Sequence, residues 1–145
     1  MFIGKYSHSF DSKGRLIIPS KYREEIGEQK LVVVPWWEED LTVFPADAFK
    51  EYIDSLNSLQ GSPEKIRRIK RFILSNAEEC KLDAQGRILI GKDLRKFANL
   101  EKDCVITGNM QYFEIWNPDT WAKVEEKLND AKEMRDELES LKMMF

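Results

Sequence analysis

The residues best suited to chemistry are two arginines, each directly after a glycine and four positions after an aspartate: Asp11-Ser12-Lys13-Gly14-Arg15 and Asp83-Ala84-Gln85-Gly86-Arg87. In a tight turn the aspartate accepts backbone N–H bonds, and the glycine supplies a positive φ at little steric cost. Neither need explains the arginine. At the first position of a returning strand, Arg15 or Arg87 can project off a sheet while Asp11 or Asp83 holds its guanidinium bidentately and restrains its rotamers. A five-donor fork so placed suits phosphate oxygens or the O6 and N7 edge of guanine. A structural Asp–Arg pair that merely stitches the turn is the plainer alternative. The recurrence of the whole pattern favours nucleic-acid contact, with Lys13 as an auxiliary phosphate contact and Gly14 and Gly86 shaping the turns.

Other constellations carry less. Asp11 and Asp83 suggest a catalytic acid pair, but Ser12-Lys13-Gly14 and Ala84-Gln85-Gly86 lack a hydroxyl residue in symmetric position. His8 is the only histidine and reads as a core or hydrogen-bonding residue. No P-loop, dinucleotide glycine fingerprint, nucleophile elbow or metal-ligand cluster occurs, so neither an enzyme nor a cofactor or metal is expected. The run Lys65, Arg67, Arg68, Lys70 and Arg71 competes for phosphate contact, although a solvated helix face is the commoner role for such a run. Trp36, Trp37, Trp116 and Trp121 could stack on bases, but packing fits them better.

The elements that must position these residues repeat as well. An offset of 72 positions carries Asp11 onto Asp83 and, without a gap, Arg23 onto Arg95, Lys30 onto Lys102, Val33 onto Val105, and Phe44 and Phe49 onto Trp116 and Trp121. Such a register indicates a duplicated unit. Each copy reads as strand, strand, short helix, strand, strand, helix. Its opening hairpin closes on a type I turn with a glycine bulge. Residues 1–60 form the first repeat, 61–77 a linker helix with Ile66, Ile69 and Ile73 on one stripe, and 78–145 the second repeat with a long terminal helix from Pro118 to about Leu141. On that helix Trp121, Val124, Leu128, Ala131 and Leu138 form an apolar stripe, widened by Met134, Leu141 and Phe145, that suits another subunit.

Composition sets the bounds. The chain has 145 residues, 42% hydrophobic and 34% charged, as in a soluble globular protein, and the strand and helix pattern of its two repeats makes it α+β. No apolar run approaches a membrane span or a secretory signal, which makes a cytosolic location the default. Cys80 and Cys104 occupy non-equivalent repeat positions and read as reduced structural residues. The net charge of −3 argues against non-specific binding to a polyanion. Its distribution softens that argument, because residues 125 to 142 hold seven of the 26 acids and four of the 23 bases, leaving nineteen of each elsewhere.

With these motifs in place, the chain resembles the MraZ family of bacterial transcriptional regulators. The resemblance rests on Phe2-Ile3-Gly4 with Tyr6, the paired signatures ending at Arg15 and Arg87, Pro19 and Arg23 after the first turn, and the stretch from Arg71-Phe72 to Ala77. It implies two tandem AbrB-like swapped-hairpin β-barrel units with pseudo-twofold symmetry. It also implies a ring-shaped homo-oligomer, cytoplasmic and nucleoid-associated, on double-stranded DNA. The sites would be short G-rich direct repeats upstream of the division and cell-wall gene cluster. The family's DNA-contacting arginine falls on Arg15 and, by the repeat, on Arg87. Gln85 stands opposite Lys13, so unequal contact by the two copies is expected. The alternative is a protein-interaction ring of the same broad fold that does not bind DNA.

Overall fold

The two strands expected to form the opening hairpin part company. In the computed structural model, which describes residues 1–141, β1 (Lys5–Ser9) and β2 (Arg15–Ile17) join different sheets, and an isolated bridge links Phe10, just past β1, to Leu16. They are followed by α1 (Ser20–Ile26), β3 (Leu31–Pro35), β4 (Leu41–Pro45) and α2 (Ala46–Leu56). The linker α3 (Pro63–Asn76) leads into β5 (Glu78–Cys80), β6 (Arg87–Leu89), α4 (Lys92–Phe97), β7 (Asp103–Asn109), β8 (Tyr112–Trp116), α5 (Pro118–Leu128) and α6 (Ala131–Ser140). A six-stranded antiparallel sheet runs β1-β7-β8-β4-β3-β5, and β2 forms a separate two-stranded ribbon with β6. Each repeat therefore lends its first strand to the other repeat's third.

Two strand pairs mark a local twofold relation between the repeats. Leu16 lies opposite Ile88, and Thr42 opposite Glu114. In both, a residue faces its own counterpart 72 positions on. Flanking bonds obey the same exchange: the Ile18 N–H donates to the Gly86 carbonyl (3.0 Å) and the Ile90 N–H to the Gly14 carbonyl (3.1 Å).

The gapless offset fails at one place. Leu31 and Val33 of β3 point into the main core, but so do Cys104 and Ile106 of β7, which lie 73 positions on. The second repeat has one residue more before β7 and one fewer in the following turn, so the offset is restored by β8. A one-residue slip turns every side chain of a strand to the other face, which explains why Val105 is not the counterpart of Val33.

The main core lies between the six-stranded sheet and the β2–β6 ribbon, with Tyr22 of α1 and Leu94 of α4 at its sides. A second cluster lies on the sheet's outer face, where Val32, Val34 and Phe44 meet α2 and α3. Coverage on both faces accounts for the unbroken burial of β3 and β4, in which Thr42 is the one polar residue. A two-stranded ribbon is marginal alone. Here Leu16, Ile18, Ile88 and Ile90 are buried beneath it, each contributing about 1.5–3 kcal/mol, which fixes it to the core.

The terminal helix is not continuous. Asn129 ends α5, and the Asp130 carboxylate accepts N–H bonds from Lys132 and Glu133 (both 3.1 Å) to start α6. Leu128 and Leu141 of the expected stripe are exposed, and Phe145 lies outside the described residues. Phe44 packs on Phe49 and Trp116 on Trp121 at nearly equal centroid distances (5.5 and 5.4 Å), which gives these aromatics the packing role expected of them.

Candidate nucleic-acid interface

Both Asp–Arg turns close in the same way. The Gly14 N–H reaches the Asp11 carbonyl (3.1 Å) and the Asp11 N–H the Arg15 carbonyl (2.9 Å); Gly86, Asp83 and Arg87 repeat this at 3.0 and 2.8 Å. Gly14 and Gly86 hold φ of +82° and +76°, as the bulge requires. The carboxylate divides its labour. Asp11 Oδ1 accepts the backbone N–H groups of Lys13 and Arg15 (both 2.9 Å), leaving Oδ2 for Arg15 Nε at 2.7 Å. Asp83 does the same for Gln85 and Arg87, with Nε at 2.8 Å. The expected bidentate grip is thus replaced by a single bond to Nε, because the other oxygen is spent on the turn.

That bond leaves the outer edge of the guanidinium open. Among the described residues, the terminal nitrogens of Arg15 have no hydrogen-bond partner. Those of Arg87 are partly engaged: Nη2 donates to Gln85 Oε1 (3.2 Å), and Nη1 lies 3.8 Å from Asp11 Oδ2. The arginine side chains are 33% and 22% exposed, so neither is sealed in the core. Accepting the Arg15 backbone N–H, above all, together with the bonds from the Arg15 side chain and the Lys13 N–H, holds Asp11 down at about 2. Asp83 is lowered for the same reasons, with the Arg87 backbone N–H foremost. Both braces are therefore anionic at neutral pH.

Alternation along the ribbon sets its outward face. Leu16 and Ile88 point into the core, so Arg15, Ile17, Arg87 and Leu89 share the opposite face, with Arg15 across from Leu89 and Ile17 across from Arg87. Lys13 is exposed at the turn beside it.

Sequence reasoning missed two further arginines at this site. Arg23 of α1 rests on Gly86, and Arg95 of α4 on Gly14, each helix bracing the other repeat's turn. A Cβ at position 86 would collide with the Arg23 side chain, and one at position 14 would come within 3.0 Å of Arg95 Cζ. Arg95 Nε donates to the Ile90 carbonyl (3.0 Å), whereas Arg23 Nε is buried without a partner among the described residues. Arg23 also lines an open cleft of about 480 Å³ with Lys81, Asp83 and Gly86. The repeated Arg at equivalent positions was the available signal.

The competing surfaces lie elsewhere. The basic side of α3 is on the outer face of the six-stranded sheet, across the main core from the ribbon, with Ile73 buried and Ile69 partly exposed. His8 faces Cys104 in the β1–β7 ladder, and burial lowers its pKa.

Fold and site together define an α+β protein of two interleaved repeats that presents turn-braced arginines on one outward ribbon. Among the described residues, no helix is long and apolar enough to cross a membrane. The family model described as "MraZ protein, putative antitoxin-like" matches residues 1–72 and again residues 73–142. This chain belongs to the MraZ family. It is similar to the protein named transcriptional regulator MraZ of Leuconostoc citreum, at 39% identity over 92% of this chain and 95% of that one. Proteins of the same name from Oenococcus oeni (43%, over 83% and 84%) and Desulfitobacterium hafniense (40%, over 90% and 91%) are comparable relatives.

Proposed function

We propose that this chain is a sequence-specific DNA-binding transcriptional regulator, the role that the names of its relatives carry. One observation supports this reading above the others: on a two-stranded ribbon Asp11 and Asp83 fix Nε of Arg15 and Arg87, leaving the outer guanidinium edge of Arg15 open and that of Arg87 held only by Gln85 and the more distant Asp11. The major groove admits such a ribbon, and the outer edge of an arginine can donate two bonds to guanine O6 and N7. Lys13 adds a phosphate contact. In this reading each half is an AbrB-like swapped-hairpin unit. Copies assemble into a ring in the cytoplasm, at the nucleoid. The ring binds short G-rich direct repeats upstream of division and cell-wall genes. Each ribbon alone binds weakly, and linked ribbons on tandem sites gain through effective concentration.

The test is a gel-shift and footprinting titration on DNA upstream of the protein's own gene. The wild-type protein should protect spaced short repeats, with an affinity that falls steeply as salt rises, by a log–log slope of roughly −0.9 per neutralised phosphate. Arg15→Ala with Arg87→Ala should abolish specific binding while light scattering reports an unchanged assembly. Unaltered affinity in that double variant excludes this ribbon as the DNA site, and failure of the wild-type protein to bind favours the protein-interaction ring.

A further inference from the structure

The outward ribbon face carries two aliphatic side chains that packing does not explain. Ile17 is 48% exposed and Leu89 57%, whereas their strand neighbours Leu16, Ile18, Ile88 and Ile90 are fully buried. The pair is symmetric, each being the other's counterpart 72 positions away. The ladder sets Ile17 beside Arg87 and Leu89 beside Arg15, at the close Cβ spacing of directly opposed residues. Each outward guanidinium therefore has an aliphatic partner contributed by the other repeat. The face combines bidentate donors with apolar side chains in alternation.

We infer that Ile17 and Leu89 are specificity-determining residues that pack on thymine 5-methyl groups beside the bases contacted by Arg87 and Arg15. The inference rests on the DNA-binding reading above. Charge selects the occupant: Arg15, Arg87 and Lys13 outnumber Asp11 and Asp83, whose oxygens are spent on the turn N–H groups and the arginine Nε atoms, so the donors left open on this face suit a polyanion. The T methyl is the apolar feature that the major groove offers to such side chains. Both aliphatic residues are needed for the two halves to read a methyl each.

Thymines in the protected stretch are replaced singly by deoxyuridine, which deletes the methyl and leaves the pairing intact. Wild-type affinity should fall roughly 4-fold for each methyl that had been buried. Ile17→Ala with Leu89→Ala should bind the unmodified fragment more weakly and lose this sensitivity, with melting temperature and assembly unchanged. Binding by wild type that ignores every methyl overturns this inference alone, as does a methyl penalty that persists in the double alanine variant. A change of assembly in that variant also overturns it, by showing that copies of the chain meet on this face. Absence of salt-sensitive binding by wild type defeats this inference and the DNA-binding reading together.

Discussion

The Asp11 carboxylate stands 3.8 Å from Arg87 Nη1, although the two residues belong to different repeats. The same oxygen, Oδ2, accepts the bond from Arg15 Nε, so one carboxylate lies between both guanidinium groups. Among the described residues, no ion pair joins Asp83 to Arg15. The two braces are therefore unequal.

Asp11→Asn should harm DNA binding more than Asp83→Asn, because it loosens Arg15 and removes the nearest cross-repeat anion from Arg87. A loss of about 10-fold is expected for Asp11→Asn in a gel-shift titration, with a smaller loss for Asp83→Asn. Equal losses would show that the cross-repeat approach is unimportant. The pH dependence follows from the depressed pKa. A carboxylate lowered from 3.8 to about 2 stabilises the turn above its ordinary value, and that support is lost as pH falls toward 2. A carboxyl NMR titration of Asp11 should therefore show its midpoint well below 3.8.

Glu114 should make the fold less stable as pH rises. It lies between Thr42 and Thr107 in adjacent strands, near fully buried Asp40. Burial, then the charge of Asp40, pushes Glu114 above its ordinary 4.5; burial likewise pushes Asp40 above 3.8, with Glu38 and Tyr112 also nearby. For a carboxyl whose pKa is raised on folding, stability is full below the unfolded value and falls as pH climbs from the carboxylate range toward neutrality. Discounted for solvent screening to about 1 kcal/mol, the effect is roughly 4 °C in Tm between pH 5 and pH 8. Glu114→Gln should flatten most of that difference in a thermal melt.

Gly86→Ala should destabilise the protein more than Gly14→Ala. Both positions have positive φ, which costs an L-residue roughly 1–2 kcal/mol. At position 86 the added methyl also collides with Arg23 along its side chain, whereas at 14 it comes to 3.0–3.1 Å from the Arg95 guanidinium, which need give by only a few tenths of an ångström. Urea denaturation should rank the variants in that order.

Phe2→Ala should cost about 3–5 kcal/mol, unusual for a residue so near a chain terminus. Phe2 is 2% exposed, its ring meets Tyr22 and Phe113 at 5.0 and 5.2 Å, and its backbone bridges Met110 at 2.8 and 2.9 Å. A denaturant midpoint unchanged from wild type would refute this anchoring.

Local chemistry was legible in the sequence. The Asp and Gly of each turn specify its bonds within five residues, and each Arg follows the bulge, so the pairing of Asp11 with Arg15 could be read directly, although not that one carboxylate oxygen is spent on the turn and the other holds only Nε. Strand partnership was not, since β1 and β2 look like a hairpin and only the whole chain decides that they separate. The one-residue shift at β7 was hidden because Val33 and Val105 match by type; the pleat distinguishes them only once the core is known. The break before α6 had a signal in Asn129-Asp130, overshadowed by the helical spacing of Leu128 and Ala131. Arg23 and Arg95 repeat visibly, but the glycines they cover lie across the repeat boundary.

The reciprocal lending of β1 and β5 means that neither half possesses a finished sheet by itself. Two separate polypeptides built this way would have to meet in solution, and dilution would unravel them. Tethered through α3, the halves keep each other at fixed stoichiometry however scarce the protein becomes. The tether also permits the partners to drift apart in chemistry, as Lys13 and Gln85 already have, without either meeting a copy of itself.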